Sequence, residues 1–389
     1  MTEAATESWG VLHPADMPST RRQQSLDLGR SVRWFNEQSV PGIGNLHFAM
    51  PLIWALLGVD LARATDRQPI AVAEGIEALV MKRSLGNADP ARLRGFRNLP
   101  RAGWGYADLT RRGAYVTQTL RQVCTQPLRA LGLVTGSAGR FNSFELTDAG
   151  RRLIAPYAEE RAGLRKWIDG KPVPKDGLLD RLRPDAVLAD GVSRELRQLL
   201  LDGDRPGTPR RRAVRENRDG LSTAALLQGT SPLADDHLRA LRGGIALVQL
   251  RDTGISVLNA VENRLMQLRR DGKDQMLPIP DALDDEKVNE ALARLRSLGA
   301  LHEARLEAAG SGEAIRFART CRSDAATLLR DLAKRDRSVI LLRDDDLVPG
   351  PACGETHDEA GPADDRDIAR ELPRLSALHA LIDDLERTA

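Results

Sequence analysis

The sequence predicts a mainly α-helical protein with small β wings. Apolar residues recur every three or four positions along most of the chain, which is the period of an amphipathic helix. Alternation of apolar and polar residues, which is typical of strands, is confined to short runs next to glycine turns. The chain has 389 residues, of which 41% are hydrophobic, and it can therefore form two or three domains that each bury a core.

Changes in composition divide the chain into five regions. Proline, glycine and charged residues concentrate at 170–175 and again at 204–220, where we predict linkers. The regions are an N-terminal helical region (1–67), a basic domain (68–165), a linker with short helices (166–220), a helical region (221–335), and a last region with a strand, an acidic linker and a helix (336–389).

The N-terminal region combines an amphipathic helix with an apolar one. We predict the amphipathic helix over 19–37, a glycine turn at 40–44 and a buried helix within 46–59. The apolar segment is too short to span a bilayer, so we predict that it packs in a core. The residues expected to pack there are Ile53, Trp54, Leu56 and Leu57.

The basic domain contains the most regular pattern of the chain, within residues 117–154. Apolar residues at helical spacing come first, and Gly132 can end that helix in a left-handed conformation. A strand is predicted to start at 131–134, a wing tip at 136–140 and a returning strand at 141–147. A further helix is predicted after this strand.

Two runs within this pattern resemble a known family. They are Leu128-Arg-Ala-Leu-Gly-Leu-Val134 and Phe144-Glu-Leu-Thr-Asp-Ala-Gly-Arg151. They are similar to the end of the recognition helix, the wing and the exit helix of bacterial winged-helix regulators of the MarR and PadR type. The resemblance implies a winged helix-turn-helix domain that contacts DNA with one helix and the wing. Pro127 lies inside that helix, so we predict a kink or a fresh helix start there and a short reading surface.

Positive charge is concentrated in the same domain. From Lys82 to Arg152 there are 13 basic and four acidic side chains, a net charge of +9 in a chain whose total is +2. This concentration predicts binding to a phosphate backbone, and a solvated arginine-rich surface is the alternative. Only 4% of residues are aromatic, which argues against a broad base-stacking platform and favours double-stranded DNA. The predicted nucleic-acid-binding residues are Arg111, Arg112, Thr117, Gln118, Arg121, Gln122, Arg129, Arg140 and Asn142.

The C-terminal half repeats part of the pattern with a balanced charge. We predict a helix over 288–298, a glycine turn at 310–312 and a returning strand at 314–317, which would form a second winged-helix domain. Seven basic and seven acidic residues between 284 and 322 cancel, so this domain is expected to contact proteins. A short strand is also predicted at 338–342.

A terminal amphipathic helix completes the chain. We expect its apolar face to dock on the core or on a partner subunit. The residues on this face are Ile368, Leu372, Leu375, Leu378, Ile382 and Leu385.

Candidate catalytic clusters in the sequence are weak. Asp344, Asp345 and Asp346 follow a predicted strand and could bind magnesium in a nuclease, but neighbours on an extended chain point in opposite directions. Cys353 and His357 lack a second pair of ligands at zinc spacing. The sequence has no phosphate-binding glycine motif of a nucleotide-dependent motor. We therefore expect no enzymatic activity, no metal and no cofactor.

Composition indicates a cytoplasmic protein. The three cysteines, Cys124, Cys321 and Cys353, are far apart and odd in number, which does not suit a disulfide framework. The first ten residues are polar and acidic, unlike a secretory signal, and no membrane segment is expected.

Together these observations favour a non-catalytic DNA-binding subunit of a larger bacterial DNA-processing assembly. The run Trp34-Phe-Asn-Glu-Gln-Ser-Val-Pro-Gly-Ile-Gly44, followed by the apolar helix and the basic domain, is similar to uncharacterised proteins encoded in anti-phage defence clusters. This similarity implies a role in defence. The alternatives are a free-standing transcriptional regulator and a metal-dependent nuclease. The expected partners are double-stranded DNA and protein subunits that bind the C-terminal half, with homo-oligomer formation left open.

Overall fold

The computed structural model describes residues 24–137, 140–174, 176–336, 338–354 and 372–387. Over these ranges the protein is mainly helical with small antiparallel sheets, which confirms the predicted fold class at this level. The chain forms two compact units. Unit 1 comprises residues 1–35 and 242–365, and unit 2 comprises residues 36–241 and 366–389, each as far as the structure describes it.

Helices form most of both units, and the strands are short. In chain order the helices are α1 (Gly29–Ser39), α2 (Met50–Ala64), α3 (Pro69–Ser84), α4 (Tyr106–Thr110), α5 (Leu120–Ala130), α6 (Asp148–Ile154), α7 (Ala158–Ile168), α8 (Asp176–Asp180), α9 (Asp190–Leu201), α10 (Thr208–Glu216), α11 (Thr223–Gln228), α12 (Asp235–Arg270), α13 (Ile279–Asp284), α14 (Glu286–Ala309), α15 (Gly312–Cys321), α16 (Ala325–Asp336) and α17 (Pro373–Leu385). The strands are β1 (Val134–Thr135), β2 (Glu145–Leu146), β3 (Leu277–Pro278), β4 (Ile340–Arg343) and β5 (Asp346–Pro349). The boundaries between the units fall inside α1 and α12.

The first helix is shorter than predicted. We predicted a helix from residue 19, but α1 begins at Gly29, and residues 19–23 lie outside the described residues. Leu26 and Asp27 have φ values of 50° and 57°. This left-handed turn interrupts helical hydrogen bonding, so the helix starts after it.

The core of unit 2 is built around α2 and α3. The four residues predicted to pack there are buried, namely Ile53, Trp54, Leu56 and Leu57. Gly58 allows the two helices to approach closely, because a Cβ atom at Gly58 would lie 2.5 Å from the Cβ of Ala73. The indole N–H of Trp54 donates to the carbonyl of Leu182 at 2.9 Å, which satisfies the polar atom of this buried side chain.

β1 and β2 pair as the small antiparallel sheet that follows α5, with Val134 opposite Leu146. Gly132 joins α5 to β1 with a φ of 65°, which confirms the predicted left-handed helix end. The returning strand predicted over 141–147 is wrong in its first half, because Phe141–Ser143 form a 3-10 turn.

Local hydrogen bonds explain why this strand is short. The hydroxyl of Ser143 accepts from the Ser137 N–H at 3.0 Å and donates to the Arg140 carbonyl at 2.8 Å. Bonds of this kind satisfy the backbone locally and compete with strand pairing. The predicted wing tip at 136–140 lies between these groups, and its residues 138–139 are outside the described residues.

Thr147 and Gly150 explain the sequence motif that follows β2. The Thr147 hydroxyl accepts from the Gly150 N–H at 3.2 Å and donates to the Gly132 carbonyl at 2.7 Å. It therefore caps α6 and ties that helix to the end of α5. A Cβ atom at Gly150 would lie 2.3 Å from the Leu133 carbonyl oxygen, so the packing requires glycine.

Unit 1 buries a continuous apolar core among α12, α14, α15 and α16. The strand predicted at 314–317 is wrong, because these residues lie in α15. Ala314, Phe317, Ala318 and Cys321 recur at helical spacing and are all buried, and this burial of one face favours the helix. The predicted second winged helix required a strand directly after the turn at 310–312. The described residues there form α15 instead, so this prediction is wrong.

The sheet of unit 1 instead combines β3, which precedes α13, with the hairpin of β4 and β5, which follows α16. Its strand order is β3-β5-β4, and β4 confirms the strand predicted at 338–342 to within two residues. Asp344 and Asp345 form the two-residue turn between β4 and β5 and have φ values of 49° and 74°. Both positive values are those of a type I′ turn, which aspartate tolerates better than most residues.

The terminal helix packs within its own chain. α17 lies against α9 and α10, and its apolar residues Leu372, Leu375, Leu378, Ile382 and Leu385 are buried. The carboxylate of Asp383 bonds to Arg218 at 2.8 Å, which fixes the helix further. Of the two roles predicted for this face, docking on the core is the one found, because unit 2 itself covers the face. Ile368, predicted on the same face, lies outside the described residues.

His302 makes the stability of unit 1 depend on pH. The ring is fully buried in α14, with Nε2 at 2.8 Å from Gln249 Oε1 and Nδ1 at 2.9 Å from Arg305 Nη1. Burial, and secondarily the charge of Arg305, lowers the pKa of His302 from 6.5 to about 4. The imidazole is therefore neutral in the folded protein at pH 7.

We predict that the protein becomes less stable as the pH falls from 6.5 towards 4. The folded-state pKa of His302 lies below the unfolded value, so the unfolded state binds a proton across this window. The free energy of unfolding from this residue should fall by up to about 3 kcal/mol. Urea denaturation at several pH values measures the effect, and the His302→Gln variant should show a shallower dependence. Identical pH profiles for the two proteins would contradict the assignment.

Candidate nucleic-acid interface

The nine predicted contact residues differ in solvent exposure and in the contacts that they already make within unit 2. Arg111, Arg112, Thr117, Gln118, Gln122, Arg129, Arg140 and Asn142 are exposed, whereas Arg121 is half-buried. Gln122 donates to the Thr117 carbonyl at 3.0 Å and so steadies the turn before α5. Arg121 and Asn142 are held by other parts of unit 2.

Arg121 is engaged in an internal ion pair. Its Nε and Nη2 atoms donate to one carboxylate oxygen of Glu74 at 2.9 Å and 2.7 Å. The guanidinium also lies 5.3 Å from the ring centroid of Phe141. These contacts join α5 to α3 and leave only 12% of the Arg121 side chain exposed, so we withdraw it as a nucleic-acid contact.

Asn142 has a structural role at the start of α3. Its Oδ1 atom accepts from the backbone N–H of Ile70 at 2.9 Å, which is one of the N–H groups that a helix start leaves without an internal partner. Its Nδ2 atom donates to Gln68 Oε1 at 3.4 Å. Asn142 is therefore a helix cap supplied from the β1–β2 connection, and its contact with nucleic acid stays a prediction.

Glu77 is the most important residue that the sequence reasoning missed. It lies on α3, is 1% exposed, and its Oε1 atom accepts from the Leu120 N–H at 2.7 Å and from the Tyr115 hydroxyl at 2.9 Å. Its Oε2 atom accepts from the Arg121 N–H at 2.9 Å. Burial raises the pKa of this carboxyl, against the opposing effect of the hydrogen bonds. A carboxylate from α3 thus occupies the positive end of α5.

The C-terminal half of α5 is covered by the turn at 40–44. A Cβ atom at Gly42 would lie 2.6 Å from the Cβ of Ala130, and one at Gly44 would lie 3.2 Å from the carbonyl oxygen of Val123. Both glycines have positive φ values. Their lack of a side chain allows this turn to lie directly on the helix.

Pro127 does not interrupt α5. We predicted a kink or a new helix start, but α5 runs without a break from Leu120 to Ala130. Proline at this position cannot donate to the Val123 carbonyl, and it is against this carbonyl that Gly44 packs. The predicted new helix start is therefore wrong, and the turn at 40–44 packs directly on this part of α5.

Four arginines remain exposed on the segment between α3 and α5. We call residues 94–118 the arginine loop. Its exposed basic residues are Arg97, Arg101, Arg111 and Arg112. Among the residues that the structure describes, these four guanidinium groups have no ion-pair or hydrogen-bond partner.

Hydrogen bonds from side chains to the backbone hold the arginine loop to α3 and join its two halves. The ammonium of Lys82 donates to the carbonyls of Leu99 and Ala102 at 2.7 Å and 2.6 Å. The amide of Asn98 donates to the Tyr115 carbonyl at 3.2 Å. The arginine loop is therefore a defined surface on unit 2.

Many other arginines of unit 2 are in ion pairs and contribute little free charge. Examples are the pairs Arg92–Asp384 at 2.7 Å, Arg152–Glu195 at 2.8 Å, Arg181–Glu160 at 2.7 Å and Arg183–Asp185 at 2.9 Å. The arginine loop differs from these regions because it collects four unpaired arginines in one segment, where positive charge is available to a ligand.

The basic segment at 204–220 is structured, although we predicted a linker there. It contains α10, and Arg211 is fully buried. Its guanidinium donates to the carbonyls of Leu200 and Pro41 at 2.8 Å each. Burial lowers the pKa of Arg211 to about 10, so it stays charged at neutral pH. This arginine joins α9, α10 and the turn at 40–44.

A cleft of about 780 Å³ opens beside the C-terminal end of α5. Arg129 and Arg205 line it, and neither side chain forms an ion pair within the described residues. The acidic lining residue Asp236 is paired with Arg210 at 2.7 Å, and Glu37 is paired with an arginine of α17. The cleft therefore keeps a net positive charge.

The predicted metal ligands have structural roles or lie outside the described residues. Asp345 accepts from Arg330 at 2.6 Å, and with Asp344 it forms the turn of the β4–β5 hairpin. The Cys353 side chain is partly buried, and His357 lies outside the described residues. In the described ranges, no group of three His, Cys, Asp or Glu side chains is placed to hold a metal ion.

Comparisons with protein families, with curated proteins and with solved structures find no match for this chain. Within the described residues, no helix is both long and apolar enough to cross a membrane. The arrangement of α4, α5, β1 and β2 is therefore interpreted from its own geometry and from the sequence motif alone.

We predict that Glu77→Gln destabilises the protein although the two side chains have nearly the same shape. A glutamine can accept at one atom only, so its NH₂ group would face either the Arg121 or the Leu120 N–H. Leaving a buried donor unsatisfied costs about 1–3 kcal/mol in the free energy of unfolding. Urea denaturation measures this.

The matched control is Glu159→Gln, at an exposed position on α7. It should change the free energy of unfolding by less than about 0.5 kcal/mol. Equal effects of the two substitutions would show that Glu77 does not organise α5.

Proposed function

We propose that the protein binds double-stranded DNA through the phosphate backbone and that the arginine loop is the main contact. The observation that carries this proposal is the set of four exposed, unpaired arginines on a segment that is held in place by hydrogen bonds. Arginine donors suit phosphate oxygens because the guanidinium can donate two parallel hydrogen bonds. We interpret α4, α5, β1 and β2 as a winged helix-turn-helix whose wing, through Arg140, adds a further contact.

The surroundings of α5 favour contacts with the DNA backbone over hydrogen bonds to base edges. Recognition helices usually reach base edges with residues near their N-terminus. In this protein Glu77 occupies that end with a negative charge, and the turn at 40–44 covers the other end. The exposed polar side chains of α5 are Gln122, Gln126 and Arg129, and Gln126 already bonds to Glu37. This is a small set for sequence recognition.

In this proposal the protein supplies DNA binding to a larger assembly, and other subunits carry out catalysis. A DNA-processing or anti-phage defence complex is the setting that the sequence similarity favours. Because α17 is covered by unit 2, a protein partner would use a surface other than the apolar face of that helix.

A ligand-responsive transcriptional regulator is the second candidate. The observation that favours it is the positively charged cleft beside α5, which is large enough for a small anion and includes Arg129 of that helix. A regulator would bind one operator far more tightly than unrelated DNA, whereas a backbone-binding subunit would not.

We predict that replacing Arg97, Arg101, Arg111 and Arg112 with glutamine weakens duplex binding and flattens its salt dependence. Each phosphate contact that is lost should reduce the log–log slope of affinity against salt by about 0.9. Fluorescence polarisation with a labelled duplex at several salt concentrations measures the slope.

The matched control replaces four exposed arginines of unit 1, namely Arg269, Arg270, Arg294 and Arg296. This variant loses the same net charge and should keep the native slope. Equal losses in the two variants would indicate non-specific attraction. Footprinting that protects a single palindrome would favour the regulator.

We predict that the purified protein leaves plasmid and linear DNA intact with magnesium or manganese. Asp345 is paired with Arg330 and its neighbour Asp344 is fixed in the same turn, which does not suit metal binding. Gel electrophoresis after incubation tests this. Cleavage that is lost when Asp344, Asp345 and Asp346 are replaced by alanine would establish the nuclease alternative.

A further inference from the structure

The arginine loop exposes two aromatic rings beside its free guanidinium groups. Phe96 is 52% exposed and Trp104 is 43% exposed. Arg97 and Arg101 lie between them in the sequence, and both are exposed. Few large apolar side chains in the described residues are this accessible, and these two belong to one short segment of the loop.

Contacts beneath the segment hold the ring of Trp104 and the backbone next to Phe96 in place. The ammonium of Lys82 lies 4.7 Å from the ring centroid of Trp104 and bonds to two carbonyls of the loop. The Trp104 carbonyl accepts from the indole N–H of Trp167 at 2.9 Å. Gly95, with a φ of 85°, packs so closely on Tyr115 that a Cβ atom would lie 2.8 Å from its ring. A ligand that stacks on these rings would therefore meet a segment that is already ordered.

The positive charge of the neighbouring arginines limits which ligands can stack on these rings. An apolar protein partner would bury Arg97 and Arg101 without pairing them, which is unfavourable. A nucleic-acid strand satisfies both features, because its phosphates pair with the arginines and its bases offer flat rings. Bases inside a continuous duplex are stacked on each other and cannot also stack on a protein ring.

We infer that Phe96 and Trp104 stack on unpaired bases that adjoin a duplex, so that the protein prefers a junction between single- and double-stranded DNA. This inference rests on the proposed function, in which Arg111 and Arg112 hold the duplex. Two rings accommodate only a few bases, which agrees with the low aromatic content of the chain. The unpaired strand lies along Phe96 to Trp104.

The test compares a blunt duplex with the same duplex carrying a ten-nucleotide single-stranded extension at either end. Polarisation titrations with the full-length protein should give tighter binding to an extended duplex. Trp104→Leu and Phe96→Leu should each reduce affinity for that duplex by roughly tenfold, which is the change expected for one lost base stack. Affinity for the blunt duplex should stay within about twofold.

Trp34→Leu is the matched control, because Trp34 is 39% exposed and lies in unit 1. It should leave both affinities unchanged. The extended duplex should also quench tryptophan fluorescence in the native protein and in Trp34→Leu, but much less in Trp104→Leu. Thermal melts establish that every variant is folded.

The outcomes separate this inference from the proposed function. Equal binding of blunt and extended duplexes, with no effect of the Phe96 and Trp104 variants, would overturn the junction preference and leave duplex binding in place. A loss of affinity for both DNAs by the same factor would assign the rings to general binding and overturn the inference. Failure of the native protein to bind either DNA would overturn the inference and the proposed function together.

Discussion

The buried carboxylate of Glu77 is the interaction on which the arrangement of unit 2 depends. It brings together the start of α5, through Leu120 and Arg121, and the end of the arginine loop, through Tyr115. A charged group with 1% exposure is stable only when its hydrogen bonds are complete, and these three bonds supply that condition. The position of α5 relative to α3 is therefore fixed by polar contacts as well as by apolar packing.

This arrangement has a consequence for the surface. Glu74 and Glu77 of α3 both bond to the first turn of α5, and so the helix end that carries positive potential is already neutralised. Arg121 is neutralised by the same contacts. Positive charge that a ligand can reach lies instead on the arginine loop, whose four exposed arginines lack partners among the described residues, and on Arg129 and Arg205 at the cleft. The distribution of ion pairs, more than the net charge of the segment, decides where an anion can bind.

Arg211 fixes the turn that packs on the C-terminal half of α5, much as Glu77 fixes the N-terminal end of that helix. Its donors hold the turn at 40–44 and the end of α9 in fixed positions, and that turn covers the C-terminal half of α5. A basic stretch that resembles a flexible, phosphate-binding tail in composition thus supplies a buried structural arginine. Its neighbours Arg205 and Arg210 line the cleft beside α5.

The sequence by itself determined the elements that depend on local periodicity and on turn chemistry. The buried helix α2, the left-handed end of α5 at Gly132, the position of β4 and the apolar face of α17 follow from spacing and turn residues that a packed core requires. The tertiary structure alone decided what each polar side chain contacts. Arg121 and Arg111 have the same chemistry in the sequence, yet one pairs with Glu74 and the other stays exposed. Asn142 caps α3 through the N–H of Ile70, 72 residues earlier in the chain, and Phe317 belongs to a helix because its neighbours bury one helical face. Such contacts join residues far apart in the chain, and local pattern carries no information about which distant partner satisfies a given donor or charge.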